Sequence, residues 1–124
     1  MSGKEFTLNL MGGDEVLEKL MEFAQNNDVK DALFVGGEGV LKNFELSEMR
    51  GAGKVENKVM HGPHELIAVS GRMYKRQGKH ITELKVSLAK AGRRSISGML
   101  LRGIVQGEAE IKIRLIDLKK MVIA

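Results

Sequence analysis

The chain has 124 residues, 43% of them hydrophobic and 29% charged, with no cysteine and a net charge of +4. This composition fits one domain, residues 1–124, with a real apolar core, and it argues against disorder. Without cysteine there is no disulfide framework, no thiolate zinc site and no cysteine nucleophile. No apolar run approaches the roughly 20 residues that span a bilayer. The N-terminal MSGKEFTLNL lacks the apolar core of a signal peptide. A cytoplasmic protein that does not engage membranes is therefore expected.

The charge is unevenly placed. Residues 1–71 carry 7 Lys+Arg and 12 Asp+Glu, a balance of −5, whereas residues 72–124 carry 13 and 4, a balance of +9. Such a split suits an acidic partner such as nucleic acid, or opposite faces meeting in an oligomer; a solvated Lys-rich strand face is the plainer alternative.

In chain order, Phe6, Leu8 and Leu10 alternate with polar neighbours, the period of a strand with one buried face, and Gly12-Gly13 ends it. Asp14 is the expected helix N-cap. Val16, Leu17, Leu20, Met21 and Ala24 then share one helical face, Phe23 widens it, and Glu15 and Lys19 are spaced as an outward ion pair. Asn26-Asn27 closes the helix with residues that tolerate the left-handed conformation. Ala32 to Val35 is a short apolar run that predicts a buried strand. Gly36-Gly37-Glu38-Gly39 lacks the spacing of a phosphate-binding loop and predicts a bend or bulge before a further strand over Val40–Met49. Arg50 to Lys54 is a turn, and Val55, Val59 and their polar neighbours predict the second arm of a half-exposed hairpin.

Pro63 opens the most basic stretch. Leu66-Ile67-Ala68-Val69 is apolar at every position, as in a central strand covered on both faces. A turn over Lys75–Lys79 leads to the alternation of Leu84, Val86 and Leu88, and a second turn over Ala91–Arg94 leads to strands over Ile96–Leu101 and Ala109–Leu115. The apolar set then slips by one residue to Ile116 and Leu118, which predicts a bulge or the end of pairing. The apolar Met121-Val122-Ile123 is expected to pack on the core or on a neighbouring subunit. One helix and about seven or eight strands joined by short turns give an α+β domain built mainly on antiparallel sheet.

The helix DEVLEKLMEFAQNN, the strands DALFVGGEGVLKNFEL and GPHELIAVSG, then KVSLAKAGRRSISGMLLRG and AEIKIRL, in this order, resemble the PPC domain, the "plants and prokaryotes conserved" domain. The likeness runs from about Phe6 to Asp117. The resemblance implies a mainly antiparallel sheet packed by the helix and a homotrimer assembled through sheet surfaces. Members of that family commonly carry a His-x-His pair before the Val-Ser-Leu segment and a third histidine after the next strand's glycines. The matching positions here are Glu83, Lys85 and Met99, a set that does not suit a divalent metal. No metal and no cofactor are therefore expected, and a Glu83–Lys85 salt bridge is the plain alternative in the same place.

Other chemistry is sparse. His61 and His64 flank a turn and His80 lies in another, so these three residues are expected to be solvated rather than clustered on a metal. Ser70, Ser87, Ser95 and Ser97 lack an evident base or nucleophile elbow. Glu108 and Glu110 beside Lys112 and Arg114 predict a cross-strand salt-bridge ladder. The eight methionines fit core and interface filling. No catalytic residue stands out, and a non-enzymatic role is favoured. Two functions from different classes follow. One is a stand-alone, homotrimeric, DNA-associated regulatory module making weak, non-specific phosphate contacts through Arg72, Lys75, Arg76, Lys79, Arg93 and Arg94. The other is a small-ligand-binding protein or minor enzyme with a site in a cleft around Glu83, Lys85 and Met99.

Overall fold

A computed structural model describes residues 4–116. They form β1 (Glu5–Met11), α1 (Val16–Asn26), β2 (Asp31–Arg50), β3 (Lys54–Met60), β4 (His64–Arg76), β5 (Lys79–Ala89) and β6 (Ile96–Leu115). All six strands belong to one antiparallel sheet in the order β1-β6-β5-β4-β2-β3, and β2 also pairs with β6. That extra pairing closes β2, β4, β5 and β6 into a ring. Each 20-residue strand serves several neighbours. One edge of β6 runs along β2, while its other edge takes β5 at Ile96–Met99 and β1 at Glu108–Arg114. The free edge of β2 takes first β4, then β3.

Six strands replace the seven or eight expected, because the glycines at 36–39 and at 103–107 bend strands without ending them. Register shifts between Phe34 and Gly36, and between Gly39 and Val40, let β2 turn while it stays paired to β6; β-bulges bend strands in this way. At Gly39, φ is +134° and a Cβ would stand 2.5 Å from the Cβ of Ala109, so only glycine lets the two strands approach.

The helix starts one residue later than expected. Glu15, not Asp14, is the N-cap: its carboxylate accepts from the backbone N–H of Leu17 (3.2 Å) and Glu18 (3.0 Å). Asp14 turns back to accept from the Met11 N–H at 2.9 Å. Glu15 also accepts from the Gly103 N–H at 2.8 Å, tying the helix start to β6. It is thus unavailable for the expected pair with Lys19, which lies 3.8 Å from Glu22 instead. At the other end Asn27 caps at φ −106°, ψ 3°, its side-chain amide donating to the Phe23 carbonyl, and the left-handed residue is Asp28 (φ 43°).

Val16, Leu20 and Ala24 are buried in one core cluster with Phe44, Leu84, Leu88, Ile111 and Ile113, as the helical spacing requires. Burial of each larger aliphatic side chain contributes about 1.5–3 kcal/mol. Two apolar runs are covered on one face only. In β2, Ala32 and Phe34 point inward, while Leu33 (39%) and Val35 (37%) remain exposed. In β4, Leu66 and Val69 are buried but Ile67 is 55% exposed and Ala68 is also open. β6 ends at Leu115, and Ile116 donates to the Asp31 carbonyl. Leu118 and the apolar Met121-Val122-Ile123 lie outside the described residues. Among those described, no helix is long and apolar enough to cross a membrane.

Gly71 lies within β4 at φ +121°, and an added Cβ there would overlap the Glu83 carbonyl oxygen of β5. Gly71→Ala is expected to cost about 3 kcal/mol in urea unfolding. Gly107→Ala, at φ +78° with open space around it, should cost only about 1 kcal/mol. Equal costs would contradict the close approach.

Candidate functional site

The β4–β5 hairpin turns at Gln77-Gly78, both with positive φ, the conformation that suits a two-residue hairpin turn. It carries Arg72, Lys75, Arg76 and Lys79. Two of these are engaged by acids: Arg72 lies 3.4 Å from Asp31, and Lys75 2.7 Å from Asp28. Asp28 also takes Lys30 at 2.7 Å and faces the His80 Nε2 at 3.7 Å. Arg72 stacks on the Tyr74 ring at 4.3 Å and Arg76 lies 5.6 Å from the same ring. Arg76 and Lys79 make no ion pair among the described residues.

Arg93 and Arg94 occupy the turn at the other end of β5, a strand of 11 residues. At about 3.3 Å per residue the two basic turns stand some 30 Å apart, so one chain presents two separate basic ends and not one edge.

The charge split is partly satisfied inside the chain. Asp28–Lys75, Asp31–Arg72, Glu45–Arg102 and Glu5–Arg114 each join an acid from the first 71 residues to a base from the remainder. Arg114 is held by Glu5 of β1, and Glu110 lies opposite Asn9 and Glu38, so the ladder expected along β6 does not form.

The second region is an open groove of about 470 Å³ on the outer face of the ring. The register builds its floor. Ser70 of β4 lies opposite Lys85 of β5, Lys85 opposite Met99 of β6, and Met99 opposite Ser47 of β2. One step along, Ala68 lies opposite Ser87 and Ser87 opposite Ser97, whose hydroxyls are 2.6 Å apart. Met49 and Val55, opposite one another in the β2–β3 hairpin, form a wall. Lys85 makes no ion pair among the described residues.

Of the three positions singled out in sequence, Lys85 and Met99 meet in this groove. Glu83 does not line it: its carboxylate accepts from the Tyr74 hydroxyl at 3.4 Å instead of pairing with Lys85. An ammonium without a lone pair, a thioether and an engaged carboxylate do not fit a divalent metal. No three His, Asp or Glu side chains converge as metal ligands among the described residues. His64 is buried, not solvated: it packs edge-on against Phe44 with ring centroids 5.1 Å apart, its Nδ1 3.0 Å from the Gly62 carbonyl oxygen. The His80 side chain is likewise only 9% exposed. Ser47 was not legible in sequence, since only strand register brings it beside Met99.

The sequence profile of the Plants and Prokaryotes Conserved (PCC) domain family matches residues 1–117. Among solved structures, the chain is similar to a plant- and prokaryote-conserved (PPC) protein from Pyrococcus horikoshii, with TM-score 0.82 and 23% identity over 94% of this chain and 81% of that one. It is similar to a metal-containing protein from Archaeoglobus fulgidus, with TM-score 0.83 and 20% identity over 94% and 82%. It is also similar to a proposed DNA-binding protein from Bacteroides thetaiotaomicron, with TM-score 0.81 and 14% identity over 93% and 82%. No curated protein matches the sequence.

Hydrogen bonds from Lys30 and then Lys75 hold the Asp28 carboxyl down at about 2, below its usual 3.8. A depressed carboxylate stabilises the fold fully above the normal carboxylate range and loses that contribution as pH falls through about 2. Carboxyl-carbon NMR should give an Asp28 midpoint near 2, moving up toward 3.8 in Lys30→Met. A midpoint of 3.8 in the unsubstituted protein would contradict the cluster.

Proposed function

The chain belongs to the Plants and Prokaryotes Conserved (PCC) domain family, and from that premise we propose that it is a homotrimeric regulatory module of the cytoplasm that makes weak, non-specific contacts with nucleic-acid phosphates. The observation that carries the nucleic-acid reading is the pair of cations at the β4–β5 hairpin turn, Arg76 and Lys79, which have no ion pair among the described residues, with Arg76 over Tyr74. Arg72 and Lys75, already held by Asp31 and Asp28, contribute field more than contact. Arg93 and Arg94 supply a second, separate contact point. The similarity to a proposed DNA-binding protein supports the same reading. No basic helix is offered to a groove: the one helix among the described residues has no basic residue in its last turn and buries one face. Binding is therefore backbone-directed and indifferent to sequence.

Assembly matters to this function, because two free cations on one hairpin bind phosphate weakly and three copies of them act together. Leu33, Val35 and Ile67 leave an apolar surface on β2 and β4 that a neighbouring copy would cover.

A second reading, a ligand site in the groove at Lys85 and Met99, is favoured by a separate observation: an unpaired cation in a formed concavity. It uses none of the basic residues at the hairpin turn.

Sedimentation of the protein with a labelled DNA duplex tests the first reading. The protein alone is expected at about three times its chain mass of 13.7 kDa. Duplex binding should fall linearly in log–log form with salt, and Arg76→Ala with Lys79→Ala should flatten that slope by about 0.9 for each phosphate no longer neutralised. A monomer would overturn the assembly. Duplex that fails to co-sediment at low salt would overturn the nucleic-acid reading.

A further inference from the structure

We propose that the outer groove binds a small organic anion, its carboxylate or phosphate head at Lys85 and its apolar body between Met99 and the Met49–Val55 wall. Lys85 lies on the exposed face of β5, since its neighbours Leu84 and Val86 point into the core. Its cross-strand neighbours are uncharged, Ser70 on one side and Met99 on the other. Along its own strand Ser87 lies two residues on, and Glu83, two residues back, accepts from the Tyr74 hydroxyl and makes no ion pair with it. Among the described residues no acid lines the groove and none makes an ion pair with the ammonium. By contrast, Lys19, Lys30, Lys58 and Lys75 each have a carboxylate within 4 Å. The groove therefore offers a positive charge without its counter-ion.

The hydroxyls complete an anion's needs. Ser87 and Ser97 share one hydrogen bond at 2.6 Å, which occupies one hydroxyl hydrogen and leaves the other to donate outward. Ser70 and Ser47 end the rung that holds Lys85. Hydroxyls both donate and accept, so they do not select charge; the ammonium, which only donates, does. A cation is excluded by Lys85, and a bare inorganic anion leaves the rest of the groove wet. Met49 and Val55 are 73% and 59% exposed, and covering them rewards a ligand that carries an apolar group next to its charge. A volume of about 470 Å³ falls in the range of small-molecule pockets. The framework is rigid at this point: Gly98 packs so close to β2 that a Cβ would lie 2.7 Å from the Ser47 carbonyl oxygen.

The site shares strands β4 and β5 with the hairpin turn that carries the nucleic-acid reading but none of its basic residues, so either can fail alone. Amide NMR titrations with phenyl phosphate, benzoate, inorganic phosphate and benzyl alcohol test it. Phenyl phosphate or benzoate is expected to shift the Lys85, Ser87, Ser97 and Met99 amides and to bind at least about tenfold tighter than benzyl alcohol, the size of one charge-assisted hydrogen bond. The better of the two identifies the head group. Lys85→Met, which keeps length and apolar bulk, should abolish that preference, and Lys85→Arg should retain it. The joint variant Ser87→Ala with Ser97→Ala should weaken anion binding while keeping the preference for the anion over the alcohol. The proposal is overturned if neither organic anion shifts these amides, if Lys85→Met binds them unchanged, or if inorganic phosphate binds as tightly as phenyl phosphate.

Discussion

The antiparallel pairing of β2 with β6, from Ala32–Leu115 to Ser47–Met99, is the constraint on which the rest of the molecule depends. It joins segments more than fifty residues apart, and it closes a sheet that would otherwise leave long edges. Both strands must bend to hold it, and glycines at the bulges make the bending possible. Closure then gives the apolar side chains of four strands one interior, which α1 seals through Val16, Leu20 and Ala24. Glu15 links the two events: one carboxylate caps the helix and accepts from Gly103 of β6, which ties the helix start to the ring.

The same closure explains the charge pattern. An acidic first half and a basic second half suggest an external acidic partner when read along the chain. In the fold the two halves lie against each other, and four ion pairs cross between them. Exposed pairs of this kind contribute about 0–1 kcal/mol each. Their larger effect is on function, because they take Arg72 and Lys75 out of the free positive surface, whereas Arg76 and Lys79 at the hairpin turn, Arg93 and Arg94 at the far turn and Lys85 in the groove keep no ion pair among the described residues.

Much of the fold was legible in the sequence. The alternation at Phe6–Leu10, Leu84–Leu88 and Ala109–Leu115 and the helical spacing from Val16 to Ala24 gave the elements and their inward faces, because burial acts on those periods directly. Family resemblance gave the architecture. Strand ends were not legible, since a glycine that bends a paired strand reads the same as one that stops it. Continuous apolarity at Leu66–Val69 also misled: Ile67 and Ala68 are open within a single chain. Of the candidate groove, Lys85 and Met99 were visible. Ser47 and the serine rung were not, because nothing local in a sequence states that positions 47, 70, 85 and 99 share one line across four strands.

Cross-strand backbone NOEs at Met99 test this closure most directly. The ring requires Met99 to show contacts with both Lys85 of β5 and Ser47 of β2 in the same molecule. Both sets are expected at comparable intensity in the isotope-labelled protein. Contacts from Met99 to only one of the two strands would mean that the ring is open, and would remove the groove floor and the charge pairing that follow from it.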